Sequence, residues 1–114
     1  MLIFRLPFGR PFSFSPAVFI PPDVTASRYE ALLAHETAHY NRQGLFPIAW
    51  VVKYFTNKQF RLQEELIAVT AEINKYRELS IPVSLESYAK VLSTQYWNMV
   101  SYEDALLKLR ETFI

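Results

Sequence analysis

The sequence contains no cysteine in its 114 residues. That absence removes disulfides, thiolate metal ligands and cysteine nucleophiles together, and it fits a reducing setting such as cytoplasm. A charge of one dominant sign is missing too: twelve basic and eleven acidic residues leave a net charge of +1. They are spread along the chain, so no basic stripe awaits nucleic acid and no basic face suggests a membrane surface. Nor does any apolar run extend long and clean enough to span a bilayer. The opening "MLIFRLPFGRPFSFSPAVFIPP" is apolar, but Arg5, Arg10, Pro7, Pro11, Pro16, Pro21 and Pro22 interrupt it. It lacks the basic start, continuous apolar stretch and small-residue cleavage site of a secretory leader. A soluble, unprocessed cytoplasmic protein is the expectation.

What is present argues for one globular domain. Half of the residues (51%) are hydrophobic and nine are Phe, enough for a core that needs no metal merely to fold. Residues 1–22 favour extended structure, because aromatic and β-branched residues alternate there with prolines. "AVFI" (Ala17 to Ile20), bracketed by Pro16 and Pro21, reads as a short edge strand, and "LIFRL" as another. Ser27 and Glu30 have capping-box spacing, which starts a helix over 27–43 that Gly44 can stop. "FPIAWVVKYF" is apolar nearly all round and carries Pro47 in its first turn, predicting a buried helix over 46–57. Trp50 and Trp97 read as buried anchors.

A third helix, over 61–79, shows Leu62, Leu66, Val69, Ile73 and Tyr76 at steps of three and four. Past Pro82, the segment 84–114 divides into a helix of about Leu85 to Thr94 and a last one after Ser101, whose partner Asp104 repeats the capping spacing. The expected fold is mainly α with a small N-terminal β element.

Both histidines of the chain fall in "LLAHETAHYNRQG", as His35-Glu36-x-x-His39. Residues i and i+4 of a helix share one face, roughly 6 Å apart, so both imidazoles can turn a ring nitrogen toward one zinc ion. Glu36 leans over the same site, where it can hold a water and take its proton. A catalytic zinc has three protein ligands, and without further His or Cys the third must be a carboxylate. The helix over 61–79 offers Glu64, Glu65 and Glu72. Consecutive residues point about 100° apart, so Glu64 and Glu65 cannot both face the metal. Glu65 is favoured because Ala68, three residues on, lets the helix approach closely. Glu72, two turns further on the same face, suits a contact with the far side of a histidine ring. Glu64 and Glu72 stay as alternative ligands.

"HETAH", then Gln43, "GLFPIAWVVKYF" and "EELIA" together resemble the small gluzincin-type zinc metallopeptidases. Those proteins order a motif helix, an apolar helix and a glutamate helix with an E-x-x-A signature in the same way. The resemblance covers roughly residues 17–76 and is closest to the minimal single-domain members encoded by bacteria and their phages. It places Glu65-Leu66-Ile67-Ala68 at the E-x-x-A signature. It implies a minimal zincin-like fold, a Zn²⁺ cofactor, a peptide or protein substrate, and the cytoplasm of a host cell, or a virion, as its place. In such folds an edge strand positions the substrate backbone, a role "AVFI" could take. The chain departs from larger relatives at Val69, where they often carry aspartate, and no second lobe is expected within its 114 residues. Tyr96 and Tyr102 are the candidates for oxyanion stabiliser, because they follow the glutamate helix. The competing reading is a zinc-stapled interaction or structural module without catalysis, such as a phage accessory protein.

Overall fold

The computed structural model describes residues 1–5, 10–14 and 17–114. Among them, three short strands, β1 (Leu2–Phe4), β2 (Phe12–Phe14) and β3 (Ala17–Phe19), precede five helices. These are α1 (Ala26–Gln43), α2 (Pro47–Thr56), α3 (Lys58–Glu78), α4 (Leu85–Thr94) and α5 (Tyr102–Phe113). The chain is thus mainly α with a small N-terminal β element. No helix among the described residues is long and apolar enough to cross a membrane.

The sheet runs β1-β3-β2, with β1 parallel and β2 antiparallel to β3. β3 is therefore the central strand, which corrects the expectation that "AVFI" forms an edge. Proline lacks an N–H, but the paired residues Ala17, Val18 and Phe19 include none, so they can pair on both sides. The outer edges belong to β1 and β2, so β3 has no side left for an extended peptide. Leu6 of "LIFRL", with Pro7 and Pro16, lies outside the described residues. Val18 and Ile20 are fully buried and pack with Leu32 of α1, fastening the sheet to that helix.

Helix starts follow side-chain caps. α1 begins one residue before Ser27, because Thr25 is the capping residue and accepts from the Arg28 N–H at 3.3 Å. Gly44 at φ 65° ends it, a conformation that costs glycine little. Asn57 alone separates α2 from α3: its N–H closes α2 on the Lys53 carbonyl, and its side chain accepts from Phe60 N–H at 3.0 Å. α3 thereby starts at Lys58, three residues earlier than its apolar pattern suggests. Ser84 and Ser101 cap α4 and α5 in the same way, the latter on Asp104 N–H as its spacing indicates.

α3 is buried on two adjoining faces. Val69 and Ile73 join Ala89, Leu92, Ala105 and Leu109 in a core shared with α4 and α5, with Leu66 packed against it. The neighbouring face, Arg61, Glu64, Glu65, Ala68 and Glu72, is buried as well. Buried Arg61 donates to the carbonyls of Tyr54 (2.9 Å) and Tyr96 (3.2 Å), the first of them an orphan of the last turn of α2.

α2 departs from its expected burial. Only Tyr54 is buried; Ile48, Val52 and Phe55 are 69%, 57% and 57% exposed. The helix lies across α3 and touches α1, and nothing among the described residues covers its outer face. Trp50 is half-buried, but Trp97 is exposed. Trp97 sits at φ 58° in the turn after α4, its ring against Phe55 at 5.4 Å and under the Arg61 guanidinium at 5.3 Å. It clamps a surface turn and fills no core.

Candidate metal centre

α1 and α3 pack along much of their length, with Ala31 and Ala68 fully buried. The four-residue spacing puts His35 and His39 on the side of α1 that is buried, and Glu36 beside them. Across from them Glu65 turns its carboxylate to both rings. Its oxygens lie 2.9 and 3.0 Å from His39 Nε2, and Oε1 lies 3.4 Å from His35 Nε2. The three groups thus bring one ligand atom each within 4.8 Å of one another.

The remaining acids divide by partner. Glu64 is buried, but it accepts from the Arg42 Nε at 3.0 Å and Nη2 at 3.1 Å, away from the imidazoles. Glu72 accepts from His35 Nδ1 at 2.9 Å and from the Tyr88 hydroxyl. A carboxylate on the far nitrogen of a metal-ligating histidine fixes its tautomer and strengthens it as a ligand. His39 is held differently. Its Nδ1 is buried with no hydrogen-bond partner among the described residues. Trp50 and Tyr54 stand edge-on to its ring, with centroids at 5.5 and 6.2 Å. Both rings face Glu65; on its other side His35 is held by a hydrogen bond, and His39 by aromatic walls.

Burial and charge act on these groups in opposite directions. Burial disfavours a charged His35, but the hydrogen bonds to Glu65 and Glu72 outweigh it and push its pKa up to about 10. Burial likewise disfavours a charged Glu65, but hydrogen bonds from the two imidazoles hold its pKa down to about 2. Burial, then the Glu65 carboxylate, push the Tyr54 and Tyr96 phenols up, so both remain protonated donors at neutral pH.

His35 and Glu36 line a cavity of about 460 Å³ that is also walled by Glu72, Tyr88 and Tyr96. Tyr96 therefore shares the space into which the motif opens. Tyr102 does not line this cavity; it begins α5 and is 37% exposed. Tyr54 and Tyr88 were not legible as site residues. Seven tyrosines are spread through the chain, and only the packing of α2 and α4 on α3 selects these two.

The donor set suits a borderline cation. Two imidazoles and one carboxylate match the His₂Glu set of zinc, and metal–ligand bonds of 2.0–2.2 Å imply donor separations of roughly 3.3 Å. The observed 2.9 and 3.4 Å bracket that spacing. Comparison of the chain with protein-family profiles, with curated proteins and with solved structures finds no match.

Proposed function

We propose that the protein is a zinc-dependent peptidase in which His35, His39 and Glu65 hold the ion and Glu36 is the general base. The convergence of these three side chains within 4.8 Å, with Glu36 on the wall of the adjoining cavity, carries the reading. The resemblance of H-E-x-x-H followed by E-x-x-A to gluzincin-type peptidases points the same way. Bound zinc would polarise the substrate carbonyl and make water acidic enough for a carboxylate to deprotonate.

The protein's own groups do the rest. Glu36, buried beside His35, accepts the proton of the attacking water and returns it to the leaving amine. Glu72 and Tyr88 keep His35 in the tautomer that presents Nε2. Tyr96, a neutral phenol on the cavity wall, donates to the oxygen on which negative charge develops.

Glu36→Gln tests the assignment. It removes the base while leaving the ligands, so zinc content should stay near one ion per chain. Peptide hydrolysis should fall by about 10²–10⁴-fold. Full activity in the variant would refute Glu36 as base. Zinc bound by the wild type with no cleavage in a proteome-derived peptide library would favour the zinc-stapled module instead.

A further inference from the structure

The cavity that opens beside His35 and Glu36 is also lined by two arginines in different places: Arg28 beside Tyr76 of α3, and Arg10 over the Tyr96 ring that follows α4. Among the described residues, three other cations have a carboxylate at ion-pair distance: Arg42 with Glu64, Lys75 with Glu78 and Arg110 with Glu86. Arg28 has no carboxylate at ion-pair distance among the described residues. Its Nη1 donates only to the Tyr76 hydroxyl, at 3.3 Å. Arg10 reaches the Gln95 carbonyl at 3.5 Å and lies over the Tyr96 ring at 5.3 Å. Of the two acids that line the cavity, Glu72 is already engaged by His35 and Tyr88, and Glu36 lies beside His35 at the motif. The Arg28 guanidinium thus lines a space of about 460 Å³, a volume suited to a short peptide segment, with its one hydrogen bond going to a phenol and none to a carboxylate.

The spacing sets a ruler. Arg28 stands seven residues before His35 on α1, with Leu32 of the cavity wall between them. Seven residues are about 10 Å of helix. An extended peptide covers that distance in about three residues. Guanidinium is the side chain whose fork of donors matches a carboxylate in two parallel hydrogen bonds.

We propose that the Arg28 end of the cavity is a carboxylate-reading subsite, in which Arg28 holds an acidic side chain or the free C-terminus of a peptide two to three residues from the bond that is cut. The proposal rests on the peptidase reading above for its cleaved bond, and on the cavity alone for its binding.

Binding and cleavage are therefore measured apart. The probes are fluorescein-tagged peptides carrying Glu, Gln or Lys at each position in turn, each made with a free C-terminal carboxylate and as the C-terminal amide. Anisotropy is read on the full-length zinc-loaded Glu36→Gln protein and on metal-free wild type. The expected result is about ten-fold tighter binding of Glu over Gln peptides, or of free acids over amides, which separates side chain from C-terminus. Arg28→Gln should reduce that preference to within about two-fold, Arg28→Lys should keep part of it, and Arg28→Glu should turn it toward Lys peptides. Arg28 is an exposed side chain with one hydrogen bond, so zinc content and helical circular dichroism should not change in these variants. A carboxylate preference that is absent, or that survives Arg28→Gln, overturns the subsite. A preference lost in Arg28→Gln, with no cleavage by zinc-loaded wild type, retains the subsite and removes the peptidase reading. Cleavage without any carboxylate preference does the reverse.

Discussion

Helices α2 and α3 are separated by Asn57 alone, yet they break the ordinary rule of burial in opposite senses. α3 buries Arg61, Glu64, Glu65 and Glu72, whereas α2 leaves Ile48, Val52 and Phe55 mostly exposed. The carboxylates on α3 are tolerated inside because each faces a counter-group: Arg42 for Glu64, two imidazoles for Glu65, His35 and Tyr88 for Glu72. The side chains on α2 are exposed because nothing among the described residues covers the outer face of that helix. Composition decides which surface a helix would prefer to hide, and neighbours decide whether it can. A paired charge inside is the costlier arrangement, and here it coincides with the motif.

The largest effect should come from breaking the pairing on α3 at its centre. Glu65→Gln removes the anion between two imidazoles, so zinc affinity should fall by more than the 10–100-fold that a partner outside the ligand set costs. The metal-free fold should lose about 3 kcal/mol, because His35 keeps a buried charge with only Glu72 to answer it. Chelator competition and urea melts read the two quantities. Unchanged zinc affinity would remove Glu65 from the ligand set and return Glu72 to consideration.

Arg42→Ala should separate the neighbouring acid from the site. Glu64 would be left as an unanswered carboxylate, 1% exposed, while the Arg42 side chain it loses is 48% exposed. Water can follow the arginine's departure, so the cost should be about 2 kcal/mol, below the 3–5 expected of a fully enclosed pair. Zinc affinity should not move, since Glu64 does not face the imidazoles. A matching loss of zinc would show that the two adjacent glutamates act as one unit.

These two substitutions also mark how much of the site could be read in advance. The four-residue spacing of His35 and His39 decides their common face on any helix, and with no further His or Cys a carboxylate is the expected third group. The 100° between successive helical residues separates Glu64 from Glu65, and the place of Ala68 with the E-x-x-A resemblance favours Glu65, the acid found against both rings. The partners that hold the rings could not be found so. Glu72 lies on a predictable face, but Tyr88, Tyr54 and Trp50 reach the site only through the packing of α2 and α4 against α3, which no local spacing encodes. The same limit explains α2. Its sequence announces an apolar helix; whether one face or all faces are covered depends on elements elsewhere. The central place of β3 escapes the sequence for a related reason, because flanking prolines constrain the strand's ends and not its neighbours.

The buried charges should also make the metal-free site sensitive to pH. For His35 the folded pKa of about 10 lies above its ordinary 6.5, so its stabilising contribution is full below 6.5 and is lost as pH rises through about 10. For Glu65 the folded pKa of about 2 lies below its ordinary 4.5, so its contribution is full above 4.5 and is lost as pH falls through about 2. The pair therefore stabilises the metal-free chain most between 4.5 and 6.5. Zinc must displace the His35 proton, so its affinity should rise about ten-fold per unit between about pH 7 and 9, with about one proton released. Titration calorimetry in buffers of different ionisation heat measures that proton. Its absence would mean that His35 is neutral before metal arrives.

The smallest effect belongs to α2, and its smallness is the point. Ile48 and Val52 are 69% and 57% exposed, one turn apart on the outer face. Replacing both with Gln removes apolar surface that is already in water, so little transfer energy is lost. Gln is also the better helix former by a few tenths of a kcal/mol per residue. The double variant should therefore stay within about 0.5 kcal/mol of wild type in urea melts, or gain slightly, while zinc affinity is unchanged. Solubility should improve, since adjoining exposed apolar side chains promote association. A loss above about 1 kcal/mol that grows with protein concentration would mean that this face is covered in solution. α2 would then obey the same rule as α3, with its partner lying outside the chain.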